Sequence, residues 1–420
     1  MKTKCAKTMT LLLPVILLGA CASPEMTEEE ILAHANELHS SLLTIDTHVD
    51  ISADFATAES DPGARGDNKV DLPKMREGGL DVVFFAAYVG QNERTPEHYE
   101  EVKADAMNKF TAIHRMAEDM YPDQIEIPYT ADDIERIDAS GKLVAVVSIE
   151  NGYAIGQDIS LVETYFDLGA RAMTLTHGGH NDIGDSSTPR DFDEEEEQYG
   201  GLSDFGKEVV AEMNRLGMII DISHVSKATM LQTAGLSESP IIASHSGARA
   251  LADHPRNLDD EQLLALRDNG GVVHVVALDG FLKVAPEKDV AVDALREELG
   301  LTSFAAFRDL TDEQRADYEE RMAELDERWP SANLQTYVDH IDHVAQLIGV
   351  DHVGIGTDFD GGGGIDGFND ASESPNVTIE LVRRGYSDED IAKIWGGNLM
   401  RVLRDNERVA TQLQEHGHAH

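Results

Sequence analysis

A chain of 420 residues, 41% of them hydrophobic, carries enough apolar material for one large barrel domain or two ordinary domains. Its formal charge of −45 argues against nucleic acid and anionic lipid surfaces as partners, since a field of that sign repels both. Acidic substrates are disfavoured as well unless a local basic site compensates; the bulk of the charge reads as solubility rather than as an acidic docking face.

The first elements are not part of a fold. Lys2, Lys4 and Lys7 precede Met9–Leu18, an almost wholly apolar run too short to span a bilayer and of the right length for a signal-peptide core. The run ends in Leu18-Gly19-Ala20-Cys21, which resembles the lipobox of bacterial lipoproteins. Cleavage there leaves Cys21 as the lipid-bearing N-terminus and places the protein on the bacterial cell envelope, facing the periplasm or the exterior. The alternative is an ordinary signal peptide with an incidental Cys. The three lysines leave with the segment, taking −45 to −48. The other Cys is Cys5, inside the signal, so the mature chain has no disulfide, no thiol nucleophile and no Cys-based zinc site. After residue 20 no stretch is long and apolar enough to cross a membrane. Residues 1–20 are thus expected as signal peptide, 21–37 as linker, 38–408 as the folded domain and 409–420 as a tail.

Eight short apolar runs then recur with helical segments between most of them. They are Leu42–Ile45, Val82–Val89, Leu143–Ile149, Ala172–Thr176, Met218–Ile222, Pro240–Ala243, Gly271–Leu278 and Val353–Gly356. Nearly continuous β-branched runs suit strands buried on both faces. Between them, Ser203–Leu216 puts Phe205, Val209, Val210, Met213 and Leu216 on one stripe and stops at Gly217. The pattern predicts an α/β fold, a (β/α)₈ TIM-like barrel with helical insertions. Residues 91–140 add a long amphipathic helix and an extra turn. Residues 281–332 are rich in Glu, Asp and Arg and look helical up to Trp329-Pro330; they form either a lid or surface elaboration. His416-Gly417-His418-Ala419-His420 reads as a disordered end or a metal-scavenging tail.

Polar residues gather where these runs end. The first is followed by Asp46-Thr47-His48-Val49-Asp50, the third by Glu150, the fourth by His177. The fifth closes on Asp221-Ile222-Ser223-His224, the sixth on Ser244-His245-Ser246, the eighth on Asp358-Phe359-Asp360. Side chains at the C-terminal ends of barrel strands point into one mouth. One such residue is ordinarily a satisfied histidine or a helix cap; six strands of eight sharing the habit is not explained by packing. Imidazole and carboxylate suit zinc. His48 and Asp50, two apart on an extended chain, face one side. His224 and His245 come from adjacent strands. Glu150 between them can give one oxygen to each of two ions held about 3.5 Å apart around a hydroxide. Such ions lower the pKa of that water towards about 7. Asp358-Phe359-Asp360-Gly361 is no calcium loop, because the twelfth position is Asn369.

These residues resemble the membrane dipeptidase (renal dipeptidase) family of the amidohydrolase superfamily, from about Leu42 to Arg404. The motifs are His48-Val49-Asp50, Ile149-Glu150-Asn151-Gly152, Leu175-Thr176-His177 and Asp221-Ile222-Ser223-His224-Val225-Ser226. Ala243-Ser244-His245-Ser246, Arg256-Asn257 and Gly354-Ile355-Gly356-Thr357-Asp358-Phe359-Asp360-Gly361 follow. The resemblance implies a two-zinc dipeptidase, a homodimer, whose metal-bridging hydroxide attacks the amide of a dipeptide. It implies that His48 and Asp50 hold one Zn²⁺, that His224 and His245 hold the other, and that Glu150 bridges. It gives Asp358 the proton of the attacking water, His177 the scissile carbonyl, and Arg256 the terminal carboxylate. The family's Asn-aromatic pair after the seventh strand is replaced here by Val275-Val276-Ala277-Leu278-Asp279-Gly280-Phe281, a departure that bears on side-chain specificity. Two other readings stand beside this one: a binuclear hydrolase of lactones or cyclic amides, and an envelope maturation or binding protein that has lost activity. The first is disfavoured because its relatives bridge their metals with a Lys on the fourth strand, and Thr174 to His177 holds none.

Overall fold

Val82–Tyr88 (β2) and Leu143–Glu150 (β4) are buried along nearly their whole length, as strands must be when helices cover one face and a barrel interior the other. Around them stand Ile45–Asp50 (β1), Ala170–Thr174 (β5), Ile219–Asp221 (β6), Ile242–Ser246 (β7), Val272–Val275 (β8) and Val353–Ile355 (β9). They run in the order β1-β2-β4-β5-β6-β7-β8-β9, every neighbour parallel. A two-residue strand, Ile125–Glu126 (β3), pairs with β4 off this path, within the stretch 91–140 where a long helix and an extra turn are expected; the helix is Pro96–His114. The ring closes where Val49 bridges Phe359: the Asp50 N–H donates to the Phe359 carbonyl at 2.9 Å, and the Asp358 N–H to that of His48 at 3.1 Å. The molecule is therefore a nearly closed parallel eight-stranded barrel wrapped in helices. The structure, a computed structural model, describes residues 26–417 except 194, 302–305 and 307–309. The signal segment expected at 1–20, the expected lipid site Cys21 and the last three residues lie outside the described residues.

Three boundaries differ from the sequence expectation. The first strand is Ile45–Asp50 rather than Leu42–Ile45. Leu42 and Leu43 belong to the turn that leaves the preceding helix, where the Leu42 N–H returns to the His39 carbonyl at 3.2 Å. The strand itself is buried yet polar, and polarity hid it. The sixth strand in the ring likewise runs Ile242–Ser246, past the expected Ala243, so His245 stands inside it. The helix Glu28–His39, started by a reciprocal Thr27–Glu30 capping box, occupies most of the expected linker 21–37 and packs on the helix Ser374–Arg383.

The C-terminal boundary moves as well. The helix Asn398–Gly417 runs through the expected limit at 408, with Val409 and Ala410 buried. Its Leu399, Met400, Val402 and Leu403 form one cluster with Ile45, Val82, Phe84, Val144, Ile219, Ile242 and Val272, the residues at the starts of the strands. The last helix thus plugs the N-terminal end of the barrel, leaving the opposite end for chemistry. His416 lies within it, its Nδ1 at 2.7 Å from the Gln412 carbonyl, so this part of the expected free tail is helical. The insertion after β8 carries the helices Pro286–Glu298 and Asp312–Arg328, tied by Arg321–Glu298 at 2.7 Å. Among the described residues, no helix is long and apolar enough to cross a membrane.

The barrel tolerates no extra atom where β9 ends. A Cβ on Gly356 collides with the Ser244 carbonyl oxygen of β7 and presses on the Thr47 hydroxyl. Gly356→Ala is expected to cost about 1–3 kcal/mol, as overpacking does in rigid cores. A denaturant melt unchanged from wild type would show that the strand ends can part freely.

Candidate metal centre

Glu150 closes β4 with 3% of its surface exposed. Its Oε1 lies 3.1 Å from His224 Nε2 and 3.6 Å from both His245 Nε2 and His177 Nε2. Its Oε2 turns the other way, 3.5 Å from His48 Nε2, which is also 3.5 Å from Asp50 Oδ2. One carboxylate therefore offers a separate oxygen to each half of the cluster. His224 Nε2 and His245 Nε2 face one another at 2.8 Å. Asp358 joins His48 and His245 in a group whose donor atoms all lie within 4.8 Å, as do Glu150, His177 and His224, and His48, Asp50 and Glu150. The structure brings together His48, Asp50, Glu150, His177, His224, His245 and Asp358 from six strand ends.

The electrostatics fit a cation at this place. Burial pushes the Glu150 carboxyl up, but the His48 and His177 imidazoles outweigh it and hold it well below the carboxylate range. Burial pulls His48 down, and Glu150 and Asp50 overcome that pull and hold it well above its ordinary value. His224 and His245 are driven well below theirs, chiefly by burial, so they present lone pairs rather than protons. His48 Nε2 is buried without a hydrogen-bond partner. The lone pairs of His224 and His245, with the carboxylates around them and a His48 ring that gives up its proton when a cation takes its place, are the donor set a divalent metal takes.

Polar groups beneath the cluster aim these donors. Asp221 accepts from the Ser223 and Ser244 N–H groups at 3.0 and 2.9 Å, from the Ser244 hydroxyl at 2.6 Å, and from the Thr174 hydroxyl. Because the Ser244 proton is committed to Asp221, its oxygen accepts from His245 Nδ1–H at 2.8 Å. That fixes the tautomer and turns Nε2 towards Glu150. Asp46 plays the matching part under β1, accepting from the His48 and Thr357 N–H groups at 3.2 and 2.9 Å and from the Thr357 hydroxyl at 2.5 Å. The sequence held a sign of this pair: each Asp stands two or three residues before a ligand His, in Asp46-Thr47-His48 and Asp221-Ile222-Ser223-His224. His224 and Asp358 sit at φ +67° and +61°, left-handed backbone that non-glycine residues adopt only under constraint and that gathers at functional sites.

Above the cluster opens a cavity of about 570 Å³, the size of a small-molecule site. Asp50, Glu150, His177, His224 and Asp358 line its floor, with Phe55, Phe85, Tyr88, Lys109, Leu278 and Phe281 among its walls. Among the described residues that follow β8 and precede the next helix of the barrel, Leu278 and Phe281 line it. Arg256 does not line it: the guanidinium is buried behind His245, its Nη2 donating to the His245 carbonyl at 3.0 Å and its Nη1 to Ser246 Oγ at 3.4 Å, while Nε has no partner. Asn257 fixes the Phe281 loop by donating to the Phe281 carbonyl at 2.7 Å. Tyr88 and Lys109 escaped the sequence reading. Tyr88 reads as one more apolar strand residue, and Lys109 as one charge on an amphipathic helix.

A barrel with this cage at its C-terminal mouth defines a metal-dependent hydrolase. The family model for membrane dipeptidases (peptidase family M19) matches residues 32–417, and the chain belongs to that family. Dipeptidase aclJ of Aspergillus oryzae is 34% identical over 352 residues, 83% of this chain and 72% of the relative. Dipeptidase tcpJ of Claviceps purpurea is 33% identical over 346 residues, 81% and 70% of the two. Among solved structures, the probable dipeptidase PvdM from Pseudomonas aeruginosa matches with a TM-score of 0.80 at 34% identity, covering 91% of this chain and 99% of that one.

Ser244→Ala removes the acceptor that holds His245 Nδ1–H. It is expected to weaken metal binding about 10- to 100-fold, as loss of a partner behind a ligand does. Competition with a chromogenic chelator measures this; an unchanged affinity would show that packing alone orients the ring.

Proposed function

We propose that this protein is a two-zinc dipeptidase. The observation that carries the reading is the split of Glu150, one oxygen towards His48 and Asp50, the other towards His224 and His245. His48 and Asp50 would hold one ion, His224 and His245 the second, and Glu150 both. When bound, the ions supply Lewis-acid polarisation of a carbonyl and a water that ionises near neutral pH.

The chain's own groups do the remainder. Burial, with the charges of Asp50 and Glu150, pushes the Asp358 carboxyl well above its ordinary value. In its ionised form a carboxylate made this basic accepts the proton of the attacking water and, once protonated, delivers it to the leaving amine. His177 lines the cavity between the Tyr88 and His224 rings, 4.8 and 4.0 Å away between centroids, and donates to the scissile carbonyl oxygen as charge develops there. For Arg256 to take the terminal carboxylate, as the family resemblance implies, the carboxylate has to reach past the cavity floor to the buried Nε–H behind His245, which has no partner.

The lactone or cyclic-amide reading is disfavoured by β5, whose one basic residue, Arg171, donates to the Tyr129, Phe166 and Ala170 carbonyls on the outer side of the barrel. An inactive envelope protein is an outcome of the test. Purified protein is expected to bind two zinc ions by elemental analysis and to hydrolyse L,L or L,D dipeptides. Asp358→Asn should keep the metal and lose about 10²–10⁴-fold in kcat, the usual worth of general acid–base help. Full metal with no turnover on the dipeptide panel would sink the enzymatic reading, and a variant within threefold of wild type would take the proton role from Asp358.

The enzyme acts at a bacterial cell envelope as a homodimer, tethered by lipid on Cys21. The lysine-led apolar run and the small residues before Cys21 support the tether. In detergent partitioning wild type should enter the membrane phase and Cys21→Ser should not. Identical partitioning of the two would refute the anchor.

A further inference from the structure

One wall of the cavity is not used by the chemistry at its floor. It is built from β2 and the helix Pro96–His114, and it brings Lys109 to the cavity beside Tyr88. The ammonium lies 5.3 Å from the centroid of the Tyr88 ring, whose other neighbour is His177. Lys109 is the sole Lys or Arg among the residues lining the cavity. It is half-buried, and among the described residues it has neither a hydrogen-bond nor an ion-pair partner. A desolvated ammonium left in this way is unfavourable, and an anion arriving in the cavity removes the penalty.

The two cations near the metal cage stand on different sides of it. Arg256 is buried behind His245 on β7, whereas Lys109 comes from the helix Pro96–His114 and lies beside Tyr88 on β2. A dipeptide whose amide lies over the cage and whose terminal carboxylate goes to Arg256 leaves Lys109 to face a side chain. A chain of net charge −45 repels an acidic ligand unless a cation waits at the site, and Lys109 is such a cation.

We propose that Lys109 selects dipeptides carrying a side-chain carboxylate, Glu or Asp, at one of their two positions. The proposal rests on the dipeptidase reading above. Its test is kcat/KM on isosteric pairs, Glu-Ala against Gln-Ala and Ala-Glu against Ala-Gln, for wild type, Lys109→Met and Lys109→Arg. Wild type should prefer the acid in one pair by about 10- to 100-fold, the worth of a charge-assisted hydrogen bond. Lys109→Met should bring that ratio to near one, and Lys109→Arg should keep it. Equal rates on acid and amide in wild type overturn the proposal. So does an equal loss on both members in Lys109→Met, which would assign Lys109 to the terminal carboxylate that all dipeptides share. If no dipeptide is turned over, the dipeptidase reading falls by itself. The same pairs then serve as ligands in calorimetry, where the acid–amide difference and its loss in Lys109→Met still decide on Lys109.

Discussion

Glu150 is ionised and almost wholly out of water, a state that costs several kcal/mol unless opposite charge and donors replace the lost hydration. The replacement comes from four imidazoles on four other strands, at 3.1 to 3.6 Å from its two oxygens. Each imidazole has to arrive unprotonated or protonated as its neighbours dictate, and two more carboxylates, Asp50 and Asp358, crowd the same few ångströms. Three carboxylates and several imidazoles turned towards one small space form a donor set that divalent cations would stabilise. The fitness for a metal is thus a property of the residues themselves, before any reaction is considered.

That arrangement in turn requires a rigid bed. A parallel barrel supplies one because each strand end is hydrogen-bonded to two neighbours. The interior is layered accordingly. Valines, isoleucines and Phe84 fill the end sealed by the last helix; Asp46, Thr174, Asp221, Ser244 and Thr357 form a polar layer above; the ligands stand on top. The polar layer is saturated with short hydrogen bonds, so it offers the ligands little rotational freedom. Strain at His224 and Asp358 persists because the surroundings over-determine both positions.

The barrel and the cage were legible for different reasons. Strands such as Val82–Tyr88 and Leu143–Glu150 advertise themselves because both faces are apolar, and the ligands because His and acidic residues recur just where those runs stop. β1 was misread for the same physics turned round: its interior face lies in the polar layer, so its buried residues are Asp46, Thr47 and His48, and the apolar Leu42 and Leu43 beside it belong to a turn. The helical ends were missed because Glu28–His39 and the last turns of Asn398–Gly417 are stabilised by packing on distant segments. Lys109 and the depth of Arg256 depend on how helices and loops sit over the mouth, which local pattern does not encode.

The ring closes through Val49 and Phe359, and the far end is sealed by residues 399–403. The first strand to be synthesised pairs early with β2 but meets its second neighbour only after β9 is made, and loop closure over some three hundred residues is slow. The five residues that would hold the ions all lie between β1 and the end of β7, whereas Asp358, the group that would move the proton, follows β9. A chain short of its final segment therefore carries the full set of ligands on an open sheet with unpaired edges and lacks the acid–base group. Closing the barrel thus adds the proton-moving carboxylate to ligands already made, so the order of synthesis separates the capacity to gather metal from the capacity to use it.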